Sequence, residues 1–539
     1  MGTKQYDSAT DLITFSRASG GTALSKISYG NNSVTNGTFD TDLSGWTQNG
    51  AEWVYSNGKA ALLANAIANQ SLSSTNAYVK AGKTYRVRFD ASTSVGTPVN
   101  TYMKVRIKSN DNGTGVMIYN QNYILTGSTE IFLSPTANGY VSFDNVVSSS
   151  FDKFIDNVSI EEVLFGQSDG TLQVFNHGNN IPRIEYDATG AVKGLLIEEA
   201  RTNIAKYSED FTQGYWKAYN AVTTTGNVAV APDGNLTADR IAAKNATTNN
   251  GAFTDDDVPT GGCVSVFAKA DTVDWLGFGQ AGGCWAYFDL ANGVTGNKST
   301  TVGYTSITAY PNGWYLCQAW GITISWHRVL FSPKPTEGNG DPWSNVTNAI
   351  GDSVFLWGAQ IEAGAFPSSY IPTTGATATR AMDLAEIPTS AFGYNNDKGS
   401  IAVEFKSNKP SSLDYGAFGL SDGTPYNRII HFTSATAHRA GSINSGNLDV
   451  DIGAGSRGAP SELVKFAIGF SDNNFAASLN GATAVTDTSV TIPSGLSKLA
   501  LGYFYDNFQA NFAAVNGHIK SIQYYPRQLT NTQLQELTT

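Results

Sequence analysis

Stretch after stretch of this chain alternates apolar and polar residues one by one. Tyr85-Arg86-Val87-Arg88-Phe89-Asp90 does so, as do Ser400-Ile401-Ala402-Val403-Glu404-Phe405-Lys406 and Ser521-Ile522-Gln523-Tyr524-Tyr525. A period of two sends successive side chains to opposite faces, so each stretch reads as a half-buried strand. The helical period is clear only in Thr530–Leu537, where Thr530 or Thr532 supplies a cap and Leu534 and Leu537 share a face. The fold class is therefore all-β. Charged residues make up only 15% of the chain, against about 25% in ordinary soluble proteins. Gly, Thr, Ser and Asn take their place and aromatics reach 12%, a mixture suited to short strands and turns.

An internal repeat divides the chain. One block opens with Asn36-Gly37-Thr38-Phe39-Asp40 and Trp46; a later one opens with Tyr207-Ser208-Glu209-Asp210-Phe211 and Trp216. Each then has a glycine before an alternating strand, Gly82 before Tyr85–Ala91 and Gly261 before Val264–Ala270. Each closes on a similar strand, Phe154–Glu161 and Phe355–Glu362. Two jelly-roll sandwiches of one plan are expected, over 35–162 and 206–383. A third block, 384–539, contains Phe475–Gly481, a strand turning at Asn480-Gly481. If the first sandwich is an insertion, the flanks 1–34 and 163–205 join into one N-terminal attachment unit. The expected architecture is thus tandem jelly-roll β-sandwiches with a small N-terminal unit interrupted by the first sandwich. Its 539 residues suit three or four domains at roughly 100–200 residues each.

The net charge is −11 and no Lys/Arg cluster occurs, which excludes a nucleic-acid partner. Cys263, Cys284 and Cys317 are odd in number and lack CxxC spacing, so three buried thiols are expected, with a Cys263–Cys284 bridge as the alternative. The first residues carry no apolar signal segment, and no run is long enough to span a membrane. Tyr6 spoils the Met1-Gly2 start as a myristoylation site. Synthesis in a cytoplasm, then assembly or lysis, is the expectation.

No catalytic motif survives inspection. Gly166-Gln167-Ser168-Asp169-Gly170 and Gly419-Leu420-Ser421-Asp422-Gly423 satisfy G-x-S-x-G, but a nucleophile elbow needs a strand before it and a helix after it. Both contain Ser-Asp-Gly, an ordinary turn. The segment from Ala77 to Gly82-Lys83-Thr84 lacks the leading glycine of a P-loop, and the histidines are scattered, with His431 and His438 read as lying in two surface loops and their lying near one another as the alternative. The chain is expected not to be an enzyme.

Sugars are held by aromatic faces that stack on pyranose rings, with amides and carboxylates on the hydroxyls. In the first sandwich the candidates are Trp53, Tyr55, Tyr119 and Tyr123, with Asn120 and Gln121 supplying amides. In the second they are Trp285 and Tyr287, with Trp275 and Trp343 beside them. Trp46 reads as core because Trp216 holds the equivalent place, and Trp357 reads as core from its closing strand. Asp40-x-Asp42-x-Ser44-Gly45 begins like an EF-hand loop, but position twelve is Ala51 and no helices flank it. Asp255-Asp256-Asp257 reads as a solvated loop.

Thr14–Ser19, Asn180–Asp187, Gly194–Asn203, Tyr207–Phe211, Ala231–Gly234, Trp357–Gly364 and Ser369–Thr374 resemble a widespread group of phage tail and virion-appendage proteins. The opening Asn36-Gly37-x-Phe39-Asp40 and closing Ile155-Asp156-Asn157-Val158 resemble a jelly-roll carbohydrate-binding module. The last block is similar to laminin-G and concanavalin-like sandwiches. These resemblances imply a head or tail fibre subunit that binds host cell-surface polysaccharide for adsorption. They imply other virion structural proteins as partners and a homo-oligomer, with trimers common among such fibres. The module's likeness also implies a structural calcium, with Asp40 and Asp156 at the matching positions. A purely structural decoration is the alternative. A polysaccharide depolymerase is a further one, although its usual parallel β-helix is not visible.

Overall fold

The computed structural model describes residues 13–539, apart from 51, 65, 67, 69, 96–101, 112–116, 125–126, 146–149, 220–221, 249, 280–282, 325–327, 411 and 505–513. Side chains of residues 102, 117–124 and 219 also lie outside the description. The chain divides into two compact units, one of Lys26–Thr171 with His177–Ile181, the other of the remaining residues. Among the described residues all but one of the regular elements longer than three residues are strands, and every strand pairing described is antiparallel.

In the smaller unit a five-stranded sheet runs in the order Trp46–Asn49, Gln70–Val79, Gly139–Asn145, Tyr102–Lys108, Met117–Ile124. Facing it are Gly127–Leu133, Tyr85–Thr93 and the closing strand Lys153–Phe165, with Trp53–Tyr55 and Ala60–Leu62 beside them. The alternation read in the sequence is obeyed: Tyr85, Val87 and Phe89 are buried, while Arg86 and Arg88 point out and pair with Glu161. Val87, Phe89, Val105, Val141, Phe143 and Ile160 meet in one core with Trp46. Each such side chain removed from water contributes about 1.5–3 kcal/mol.

The larger unit holds two further sandwiches. One packs Lys217–Tyr219, Gly251–Phe253, Leu330–Lys334, Trp275–Gly279, Trp285–Asp289 and Val294–Lys298 against a second six-stranded sheet built on Cys263–Ala270 and Ser353–Glu362. The repeat is visible here in three dimensions. Tyr85–Thr93 pairs with Lys153–Phe165, and Cys263–Ala270 pairs with Ser353–Glu362, so the corresponding strands are neighbours in both sandwiches. Trp46 donates its indole N–H to the Asn36 carbonyl at 3.0 Å, and Trp216 donates to the Tyr207 carbonyl at 2.7 Å. The three cysteines are free and buried, as the spacing led one to expect.

The last sandwich also takes in strands from both flanks of the first one. Thr14–Ser16 pairs with Leu384–Pro388, at the edge of one seven-stranded sheet. Ile184–Tyr186 and Val192–Ile197 extend the opposing sheet by pairing, through the latter, with Gly517–Tyr525. The flanking segments pair with each other, Ile27–Tyr29 with Val163–Phe165 and Gly21–Tyr29 beside Thr171–His177 in one sheet, and their remaining strands complete a sandwich made mostly by the end of the chain. The reason is burial. Phe15, Leu195 and Ile197 join Ile401, Phe405, Phe466 and Leu499 in one core, which segments so short could not build alone. The helix Asn531–Thr538 is capped by Thr530, in a capping box with Gln533, and buries Leu534 against Ala402, Ala467 and Ala476.

A buried ionic cluster ties these pieces together. Asp383 accepts from Arg17 at 3.0 Å and from Arg183 at 2.5 Å; Glu198 accepts from Arg183 at 2.9 Å and lies 3.5 Å from Arg380. The side chains of Arg17, Arg183, Arg380 and Asp383 have no exposed surface. Ser369 adds its backbone N–H and hydroxyl to Glu198 at 2.8 and 2.6 Å. Burial alone would raise the Glu198 carboxyl, but Arg380 and Arg183 hold it down at about 2.

Candidate carbohydrate-binding face

The five-stranded sheet of the smaller unit has one face on the core, through Leu72, Val105, Ile107, Val141 and Phe143. The alternate residues form cross-strand rows on the other face. One row runs Thr47, Ser73, Ser142, Arg106. The next runs Asn49, Ser71, Asp144, Lys104. A third joins Tyr78, Tyr140 and Lys108.

Charge on this face is concentrated and ordered. Asp144 accepts from Arg106 and from Lys108, each at 2.6 Å, and also from the Ser142 hydroxyl. Side-chain exposure is 3% for Asp144, 8% for Lys108 and 13% for Arg106, so these groups are largely desolvated. Beside them, Tyr78 and Tyr140 meet edge-to-face at 5.1 Å, and Tyr78 is 43% exposed. An exposed ring next to fixed donors and acceptors suits a sugar. The ring's electron-rich face takes the C–H side of a pyranose, and charge-assisted bonds take its hydroxyls.

Several expected site residues are placed otherwise. Trp53 is 1% exposed and packs in the core with Trp46, so neither face of its ring can reach a ligand. Tyr287 is fully buried and donates its hydroxyl to the Gly340 carbonyl at 2.9 Å; it anchors a loop. Trp285 meets Tyr287 edge-on at 5.8 Å and is only partly exposed, as are Trp275 and Trp343. Tyr55 is exposed, but its hydroxyl donates to the Asp40 carbonyl at 3.1 Å. Tyr119, Asn120, Gln121 and Tyr123 lie on the edge strand Met117–Ile124, and their side chains fall outside the described residues. His431 and His438 are not in surface loops; both are buried.

The two carboxylates expected to share a calcium have separate partners. Asp40 accepts from the Thr38 hydroxyl at 3.0 Å, whereas Asp156 accepts from the Asn157 N–H at 2.7 Å and pairs across the sheet with Asp90. Among the described residues no group of three or more His, Cys, Asp or Glu side chains is placed to hold a metal.

Tyr78, Tyr140, Arg106, Lys108 and Asp144 were not among the expected site residues. Their signal was present in Tyr140-Val141-Ser142-Phe143-Asp144 and Lys104-Val105-Arg106-Ile107-Lys108, where alternate positions carry either the core or the polar face. Aromatic density drew attention to neighbouring segments instead.

Residues 31–146 match the family model of a carbohydrate binding domain (CBM_4_9). No curated protein matches the chain. Among solved structures, the N-terminal CBM22-1–CBM22-2 tandem domain of Paenibacillus barcinonensis Xyn10C is 13% identical with a TM-score of 0.22, covering 62% of this chain and 97% of that one. A Trypanosoma rangeli sialidase mutant displaying trans-sialidase activity is 9% identical with a TM-score of 0.22, covering 95% and 98%. A family 32 glycoside hydrolase from Bifidobacterium adolescentis is 10% identical with a TM-score of 0.17, covering 85% and 99%. The functional conclusion rests on the first of these findings: the stretch that matches a carbohydrate-binding domain is the stretch that carries the Tyr78–Asp144 face.

Proposed function

We propose that this chain is a non-catalytic appendage or fibre subunit of a phage-like particle, binding host surface glycans through the Tyr78, Arg106 and Asp144 face. One observation carries the binding role: largely desolvated, paired charges lie beside an exposed tyrosine within the matched carbohydrate-binding region. The particle context is supported by the resemblance of segments such as Thr14–Ser19 and Gly194–Asn203 to virion-appendage proteins. Single sugar sites are weak, and many copies on one particle act through avidity.

The test is a glycan array probed with the full chain displayed multivalently, alongside Tyr78→Ala and Asp144→Asn. Binding to a defined polysaccharide class that both variants lose supports the reading. Binding unchanged in both, or release of reducing ends from the bound glycan, overturns it.

A further inference from the structure

Within the larger unit lies a cleft of about 320 Å³, at the small end of the 300–1,000 Å³ range usual for small-ligand sites. One wall is the outer face of the strands Val302–Tyr310 and Trp314–Ile322. Cross-strand pairing there sets Trp320 beside Tyr304, Gln318 beside Ser306 and Leu316 beside Thr308. Val302, Cys317 and Ala319 take the opposite, core face. Trp320 and Tyr304 stack at 5.5 Å with their planes 19° apart, and Tyr304 is 53% exposed. Ser306 donates to Oε1 of Gln318 at 3.1 Å, which fixes the accepting end of that amide.

The other wall comes from the sheet of the last sandwich and contributes Glu185, Lys193, Lys406 and His518. Its carboxylates are already engaged. Glu185 is bound by Lys193 at 2.8 Å and by His518, and Glu198 beneath is held by Arg183 and Arg380. Lys406 is exposed, and among the described residues it makes no ion pair. In a chain of net charge −11, this wall presents cations opposite an aromatic platform.

We propose that the cleft binds an acidic saccharide unit, with its ring on Trp320, its hydroxyls at Gln318 and Thr308, and its carboxylate at Lys406. This site is separate from the Tyr78–Asp144 face and stands or falls independently of it. Flat stacking plus one charge-assisted bond favours a uronic or sialic acid over a neutral hexose.

The experiment is calorimetric titration of the full chain with tri-galacturonate, hyaluronan tetrasaccharide and sialyllactose, with galactotriose as the neutral control. The expected result is binding of at least one acidic probe over the neutral one. Affinity should fall tenfold or more in Trp320→Ala and in Lys406→Gln. No binding of any acidic probe, equal binding of galactotriose, or binding insensitive to Lys406→Gln overturns the proposal. If Trp320→Ala fails to fold, Lys406→Gln decides alone, because it alters an exposed side chain.

Discussion

His431 and His438 face each other inside the last sandwich, with Nε2 of one 3.0 Å from Nδ1 of the other. The Ala417 N–H donates to Nδ1 of His431 at 3.0 Å. The His431 proton therefore sits on Nε2 and is donated to His438, so the pair is built to be neutral. Both rings are buried among Phe405, Tyr415 and Phe466. Burial pushes His431 well below its usual range and, with Arg457 nearby, brings His438 down to about 4.

A pH dependence follows from that pair. The unfolded chain takes up protons below about 6.5, while folded His438 resists until about 4. Its contribution is complete above pH 6.5 and is lost as pH falls through that window. Glu209, raised to about 7 by burial, works in the opposite direction over part of the same range. A comparison of variants isolates the histidine: chemical denaturation of wild type and His438→Asn at pH 7 and pH 4.5 should show the wild type losing roughly 2 kcal/mol more. Equal losses would remove the histidine from the account.

The arginine cluster predicts a larger effect. Asp383→Ala strips the partner from buried Arg17 and Arg183 and should cost about 3–5 kcal/mol in urea unfolding. The Glu198 contribution is present above its ordinary 4.5 and is lost as pH falls toward about 2. Wild type should accordingly show a second acid-induced loss below that of the histidines, one that Glu198→Gln lacks.

Stability and binding should separate in the smaller unit. Trp53→Ala opens a cavity under both sheets and should cost about 3–5 kcal/mol, while Trp53→Phe keeps glycan binding. Arg106→Ala should reduce binding by roughly ten- to a hundredfold, the worth of a hydrogen bond to a charged group. Melting curves beside binding isotherms distinguish the two. Binding lost in Trp53→Phe with its fold intact would return that ring to the site.

The thiols give a quick check on the second sandwich. Burial raises Cys263 and Cys317 well above the ordinary range and raises Cys284 as well. Native protein should resist a thiol-reactive dye over hours and react fully once denatured. Fast labelling of any cysteine before unfolding would contradict the packing.

The sequence showed the strands more readily than their neighbours. Alternation in Tyr85–Asp90 says which side chains are buried, and the repeat led to Trp46 and Trp216 in equivalent roles. Neither could show that Thr14–Ser16 would pair with Leu384–Pro388, since a three-residue strand carries no record of a partner so far along the chain. Trp53 and Tyr287 misled for a related reason. A large aromatic flanked by polar residues looks the same whether its sheet faces solvent or core, and only the packing of the opposite sheet decides. The Arg106–Asp144 pair was hidden because its two halves lie on different strands.

The edge strand Thr14–Ser16 bears on the order of events as the chain is made. It leaves the ribosome long before the strand it must join and most of the core beneath it. Until then Phe15 has no sandwich to enter, and Arg17 waits for Asp383. Because that circuit closes late, a product truncated before Asp383 leaves Arg17 without that carboxylate and Thr14–Ser16 without its partner strand, features that quality-control machinery and aggregation both seize upon.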